Sequence, residues 1–400
     1  MDNSERIYQE LRHEQAAIWY ISDEYGAKIM IKAPSTTIKA LVKGCKIEFV
    51  FGRDDHQIPS VFHIGAKIYD DLVNYQVITC VQRFLYEHLS IAKIMHLVAV
   101  QIQFYNELNA CQAYGTLKFS EWDKHNIHSL LGNPKRLFKG DFSSKVSESL
   151  DNFQYSLGFE YNFPNPSKTI ETVIIEAEIS KLDIVKNTFF NQMGRMDLSV
   201  DDLDEGNVLE NEVFLTLASL FGNDIFKGPR IPHKNTDREL TDILAFSEYG
   251  IFLIEAKALG VINTEEKRTM DRKVAGLQKQ MMKAIKQLVG AVKKIAERTP
   301  IYDSDGKEVI FNKALLPHGV VLVSEIFPFG DYKETIAALL NAMIECKAYI
   351  HIMDMKEYMR YVGYSKGDRN NFDYYLTERI EIFVKNPTLN ARTEFSDSAT

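Results

Sequence analysis

The chain has 400 residues, 45% of them apolar and 26% charged, with a formal net charge of −8. That length supplies two or three domains with cores of their own. The acidic balance excludes a protein that binds nucleic acid through overall charge, so any such contact has to come from a local basic face.

The opening segment, MDNSERIYQE, is polar and acidic and does not resemble a signal peptide. AKIMIKA, TIKALVK and CKIEFVFG follow, rich in β-branched and aromatic residues and separated by short breaks, and they predict strands. The stretch VITCVQRFLYEHLSIAKIMHLVAVQIQFYNE is apolar, and its pattern leaves strand and helix both open. Its longest apolar run, around MHLVAVQIQF, falls well short of the ~20 residues that span a bilayer. Cys45, Cys80, Cys111 and Cys346 are widely and irregularly spaced, which predicts buried thiols in a reducing compartment and no zinc ribbon. The expectation is a cytoplasmic protein without membrane contact.

Residues 131–167 are rich in Gly, Pro, Asn and Ser and mark a boundary, so residues 1–165 are expected to form a strand-rich α+β domain. From Lys168 to Gln192, Ile170, Val173, Ile174, Ala177 and Leu182 recur at three and four, which predicts a helical connector over 166–199. NVLENEVFLTLASLFGN then repeats Leu209, Val213, Leu217 and Leu220 at helical spacing, with Gly222 and Asn223 as a stop. LTDILAF and IFLIEAK are two strands joined by SEYG, a hairpin-length connection. A long helix follows, with Val274, Leu277, Met281, Ile285, Leu288, Val292 and Ile295 as its apolar seam. The strand GVVLVSEI, the helix KETIAALLNAMIECKAY, the strand YIHIM and two helical stretches complete the order. This order predicts an α/β domain over 200–385, a mixed sheet flanked by helices, with 386–400 as a disordered tail.

Three charges interrupt these apolar strands. Alternation places Ile251, Leu253, Glu255 and Lys257 on one face of IFLIEAK, and Asp242 sits in the preceding strand. In a hairpin the ends of the two strands at Asp242 and Glu255 lie side by side. Two carboxylates and a lysine at one sheet edge suit Mg²⁺ or Mn²⁺, which take oxygen ligands and polarise a phosphoryl oxygen. The lysine can orient water or stabilise charge in the transition state.

TDILAFSEYGIFLIEAK, with its D-x12-E-x-K spacing, resembles the core motif of the PD-(D/E)xK phosphodiesterase superfamily, and most of all its nuclease-related-domain and Mrr-like branches. The resemblance runs from Glu212 to Gln287 and implies a restriction-endonuclease-like mixed sheet flanked by helices. It implies Asp242, Glu255 and the Ala256 carbonyl as metal ligands and Lys257 as the catalytic lysine. It adds a Glu from the preceding helix, Glu212 with Glu210 as competitor, and a Gln from the following helix, Gln287 with Gln278 and Gln280 as rivals. Thr241 stands where the motif's name has Pro. A second spacing match, Asp331 with Glu345 and Lys347, falls in a helical pattern and lacks the strand–turn–strand frame.

The helix from Lys267 to Arg298 is rich in Lys and Arg, with only Asp271 and Glu297 as acids, and offers a local basic face for a phosphate backbone. Arg230, His233, Lys234 and Arg238 in GPRIPHKNTDRE are candidate nucleic-acid contacts beside Asp242. Asp54, Asp55 and His56, and His125 and His128, look like ligand clusters but lack the framing of a metal site and are read as surface loops. The functional expectation is a Mg²⁺- or Mn²⁺-dependent nuclease acting on DNA ahead of RNA, suited by analogy to bacterial defence against foreign DNA. The alternatives are an RNA-directed nuclease, or a catalytically silent nuclease fold that binds nucleic acid and serves or awaits a partner. The resemblance leaves open a homodimer, or a protein partner docking on the N-terminal domain.

Overall fold

The computed structural model describes residues 3–24, 26–71, 75–158, 168–176, 178–191, 194–233, 236–261, 269–327, 330–389, 391 and 393. The chain forms two compact units, Met1–Asn187 with Ser199–Asp201, and Thr188–Leu198 with Asp202–Thr400. No helix among the described residues is long and apolar enough to cross a membrane.

The first unit runs α1 (Asn3–His13), β1 (Ala17–Asp23), β2 (Gly26–Lys32), α2 (Ser35–Val42), β3 (Ile47–Asp54), β4 (Val61–Ile68), β5 (Gln76–Gln82), α3 (Leu85–Ile94), β6 (Val100–Tyr105) and β7 (Cys111–Lys118). It continues through α4 (Glu121–Leu131), α5 (Ser144–Ser156), β8 (Glu171–Ile175), β9 (Glu178–Ile179) and β10 (Asp183–Ile184). One sheet has the order β1-β2-β6-β7-β10, with β9 also on β7, and the other has the order β5-β4-β3-β8. Alternate residues of both supply one core: Ile18, Tyr20, Ile29 and Ile31 from the first, Phe49, Phe51, Phe62 and Ile64 from the second. The ambiguous apolar stretch is strand, helix, strand. Its helix starts where the Glu87 carboxylate accepts the backbone N–H groups of Arg83 and Phe84.

Among the described residues of 166–199 the expected helical connector is not formed. Residues 171–191 hold strands, and β8 pairs antiparallel with β3, Ile175 opposite Phe49. Ile174 faces out while Ile175 is buried, which is strand alternation in a β-branched segment. A spacing of three and four is shared by short strands, and here the long-range partner β3 decides. Ala177 and Gln192, part of that expectation, lie outside the described residues.

Asp54, expected on a surface loop, is fully buried. It accepts from the His56 backbone N–H (2.9 Å) and from Asn152 Nδ2 (3.1 Å), tying the end of β3 to α5. Near it His63 is fully buried, stacks on Phe153, and meets Ser149 Oγ at 2.7 Å. Burial pushes the His63 imidazole down from 6.5 to about 3, against the opposing pull of Asp54. The folded state therefore keeps His63 neutral while the unfolded chain takes up a proton below 6.5, and stability drains as pH falls from 6.5 toward 3. His88, lowered to about 4 mainly by burial, acts in the same direction. Both tryptophans, Trp19 and Trp122, lie in this unit, so their fluorescence reports it selectively. Urea unfolding followed at tryptophan should show stability falling over that window, with a shallower slope in His63→Gln. Identical slopes would contradict this account.

The second unit opens on a hairpin of β11 (Asn187–Asn191) and β12 (Gly194–Leu198). It continues α6 (Glu205–Phe221), β13 (Ile225–Lys227), β14 (Arg230–His233), β15 (Thr236–Glu239), β16 (Ile243–Phe246), β17 (Ile251–Lys257), α7 (Met270–Ala296), β18 (Pro317–Val323), α8 (Lys333–Cys346), β19 (Tyr349–Asp354), α9 (Met355–Tyr364) and α10 (Arg369–Lys385). The main sheet has the order β13-β16-β17-β18-β19, with β17, β18 and β19 parallel and β13, β16 and β17 antiparallel. This is the expected mixed sheet with helices on both faces. The α7 seam, Leu277, Met281, Ile285, Leu288, Val292 and Ile295, is buried in one core with Leu244, Ile251 and Leu253. On the other face Phe252 meets Phe221 of α6 and Phe372 of α10, at ring separations of 5.1 and 5.3 Å.

Part of the tail expected to be disordered from Asn386 packs on the second unit. Leu389 and Ala391 are buried in the same core, and the Thr393 hydroxyl meets the Tyr361 hydroxyl at 2.9 Å. Short apolar side chains at this end find a site that local sequence pattern does not reveal. Residues 394–400 lie outside the described residues.

Candidate active site

The site grows from the β16–β17 hairpin. Ser247 closes its turn, donating its N–H to the Gly250 carbonyl and accepting the Tyr249 N–H on its hydroxyl. Ile243 pairs with Ile254, so Asp242, one residue before β16, stands opposite Glu255 and on its face. Thr241, in the place of the motif's Pro, donates its buried hydroxyl to the Ile254 carbonyl (2.8 Å) and fastens the two strands at the level of the site. The Gly228 N–H holds the Asp242 carbonyl from β13's side (2.8 Å).

Asp242, Glu255 and Lys257 meet. Asp242 Oδ2 accepts the Ala256 backbone N–H (2.7 Å) and the Lys257 ammonium (3.1 Å). Lys257 Nζ also donates to Glu255 Oε2 (2.8 Å). Glu255 is 1% exposed and Asp242 8%. Burial and then the Asp242 charge push the Glu255 carboxyl up to about 7, against the pull of Lys257. Burial alone would lower the Lys257 amine, but Glu255 and Asp242 outweigh it and hold the amine above its ordinary value.

Two further acids belong to this electrostatic group. Glu210 on α6 is raised by burial and then by Asp242, and it feels both Lys257 and Lys227, whose Nζ lies 3.5 Å from it. Lys227 is fixed by the side-chain carbonyls of Asn207 and Asn211. Glu239 at the end of β15 is solvent-exposed as a residue. Its carboxyl is raised by desolvation among its neighbours, then by Asp242 and Glu210. Glu239 and Lys227 were not singled out from the sequence; the only hint was their closeness in the chain to Asp242 and to the strand that pairs with it. Glu212, preferred from the sequence, is buried on α6 beside Val208, Leu209 and Val213.

Of the candidate glutamines, Gln287 lies level with Leu253. A Cβ on Gly319, the register partner of Leu253, would come within 3.3 Å of Leu288 Cδ1. Lys257 is four strand residues further on, roughly 13 Å. The start of α7 lies toward the site's end of the sheet, as the Lys273 ammonium over Phe327 and the Gln278 amide on the Asp331 carbonyl show. Gln280, two turns earlier than Gln287, is about 10 Å nearer the site's end of the sheet. Gln280 Oε1 and Gln287 Oε1 are both buried without a hydrogen-bond partner among the described residues.

The β14–β15 ribbon carries Arg230, His233 and Arg238, all exposed. Arg230 pairs with Glu239 across the ribbon, and Arg238 pairs with Ile231, so the two arginines point to opposite faces. Lys234 lies outside the described residues. On α7, Arg272, Lys279, Lys283 and Lys286 are exposed at helical spacing and form a basic stripe. The decoy match comes apart: Glu345 is on α8, paired with Lys293, and Lys347 follows that helix in the left-handed region.

Residues 205–323 match the family model of the nuclease-related domain. The match begins at α6, contains the whole β16–β17 hairpin and ends with β18. The C-terminal half of the chain thus carries the nuclease-related-domain likeness that its hairpin motif pointed to. No curated protein and no solved structure shows significant similarity to the chain.

Among the described residues no group of three His, Cys, Asp or Glu side chains converges as a metal cage. What the matched region presents is two carboxylates gathered on one ammonium. Hard oxygen donors of this kind fit Mg²⁺ or Mn²⁺, and they already hold a cation of the protein's own.

Proposed function

We propose that the nuclease-related domain hydrolyses phosphodiester bonds of nucleic acid, DNA ahead of RNA, with Mg²⁺ or Mn²⁺ as cofactor. The observation that carries this reading is the hydrogen-bonded trio of Asp242, Glu255 and Lys257 at the end of a buried hairpin inside the matched region. Asp242 and Glu255 would hold the ion with the Ala256 carbonyl. When bound, the ion supplies positive charge against the scissile phosphate. Asp242 is oriented by the Ala256 N–H, and Glu255 is kept from water by burial, so both need little rearrangement. Lys257 would bring its ammonium to the phosphate or to the attacking water. Glu210 supplies a third carboxylate from α6, and Gln280 or Gln287 an amide from α7. The lysine stripe of α7, with Arg230, His233, Lys234 and Arg238, would carry the phosphate backbone.

The test is a cleavage assay on single- and double-stranded DNA and RNA, with Mg²⁺, Mn²⁺ or chelator, run beside Lys257→Ala. The expected result is metal-dependent cleavage of DNA, lost in the variant. Cleavage that survives in Lys257→Ala would end the assignment. A wild type silent on all four substrates that still binds them would mark a catalytically silent nuclease fold.

A further inference from the structure

The position a divalent ion would take between Asp242 and Glu255 is already bridged by the chain. Lys257 Nζ lies 3.1 Å from Asp242 Oδ2 and 2.8 Å from Glu255 Oε2. A divalent ion held by the same two carboxylates would bind carboxylate oxygen at about 2.1 Å. An ammonium already hydrogen-bonded to one oxygen of each carboxylate competes with such an ion for their charge and repels it at short range.

We propose that Lys257 is the resident counter-ion of the site, and that a divalent ion enters only by displacing its ammonium from Asp242 and Glu255. This inference rests on the nuclease reading above. The three partners differ in freedom. Asp242 is pinned by the Ala256 N–H on the oxygen that Lys257 shares. Glu255 is enclosed at 1% exposure, so its side chain has little room to move. Lys257 has a four-carbon stem at the end of β17, with its side chain 18% exposed. The lysine is therefore the party that moves. Glu210 and Glu239, both within electrostatic reach of Lys257, keep the displaced ammonium near the site. The consequence is an order of events: the lysine becomes available to a substrate phosphate only once the ion is in place. Without the ion, the triad is closed on itself, and the buried carboxylates are never left without a cation.

The inference is tested by titrating Mn²⁺ into the full-length protein without nucleic acid, reading free Mn²⁺ by electron paramagnetic resonance, for wild type and Lys257→Met. Methionine keeps the length of the stem and removes the competing charge. The Mn²⁺ Kd should be at least about fivefold lower in the variant. Equal or weaker binding by the variant overturns the inference and leaves metal binding by the domain intact. Absence of Mn²⁺ binding by both proteins overturns the nuclease reading along with it. Should Lys257→Met not fold, the wild type alone decides. An amine-acylating reagent followed by peptide mass spectrometry should label Lys257 about fivefold more with Mn²⁺ than without it. Unchanged or reduced labelling at saturating Mn²⁺ overturns the proposal.

Discussion

Asp242→Asn is expected to lower metal-dependent cleavage roughly 10²–10³-fold, the usual loss when one charge-stabilising group is removed from such a site, with little change in melting temperature. The asparagine oxygen can still accept the Ala256 N–H, so the strand end keeps its shape. What disappears is the negative charge that faces Lys257 and would face the ion. Asp242→Ala removes the acceptor as well. It leaves the buried Ala256 N–H unpaired and should cost a further ~1–3 kcal/mol of stability. The two variants together separate chemistry from architecture. Wild-type turnover in Asp242→Asn would show that its charge is not used. Equal destabilisation by both variants would show that the Ala256 bond contributes nothing.

Arg379→Met should destabilise the second unit by ~3–5 kcal/mol, because it removes one partner of a buried ion pair. Arg379 is 1% exposed. Its Nε donates to Glu357 Oε1 (2.8 Å), and its Nη2 donates to Glu357 Oε2 (3.2 Å) and to the Ile352 carbonyl (2.7 Å). The residue thus fastens α10 to α9 and to β19. Removing it takes the guanidinium away from the buried Glu357 carboxylate, while Arg379→Met with Glu357→Leu removes both charges and should recover most of the loss. Denaturant unfolding read by far-ultraviolet circular dichroism is the suitable probe, since tryptophan fluorescence reports the first unit. A single-variant loss below about 1 kcal/mol would refute the argument.

The hairpin was legible from sequence because every level of its pattern agrees. Its two short apolar runs are continuous, as strands covered on both faces require, a four-residue turn separates them, and the only charges in IFLIEAK fall on one face at its end. Asp242 opposite Glu255 then follows from register alone. The α7 seam was legible for the same reason, seven apolar residues at helical spacing over a long segment. The stretch from 168 to 192 was misread because its few apolar residues fit either period. Its pairing with β3, more than a hundred residues earlier, is absent from local pattern. Residues supplied by helices were harder still. Choosing Glu210 or Glu212, and Gln280 or Gln287, requires knowing how α6 and α7 dock on the sheet. That follows from contacts such as Leu288 against Gly319, not from helical period. Asp54 was misjudged because a polar, turn-like stretch gave no sign that Asn152 would bury it.

Leu389, Ala391 and Thr393 give the end of the chain a mechanical role. A protein cut after Lys385 would lose two apolar plugs from the core and the hydroxyl that meets Tyr361. Leu389, Ala391 and Thr393 act as a latch that ties the segment after α10 to the core and to α9. Shortening the chain by fifteen residues, harmless for a loose tail, would instead remove the tie to Tyr361 of α9 and two buried side chains of the core.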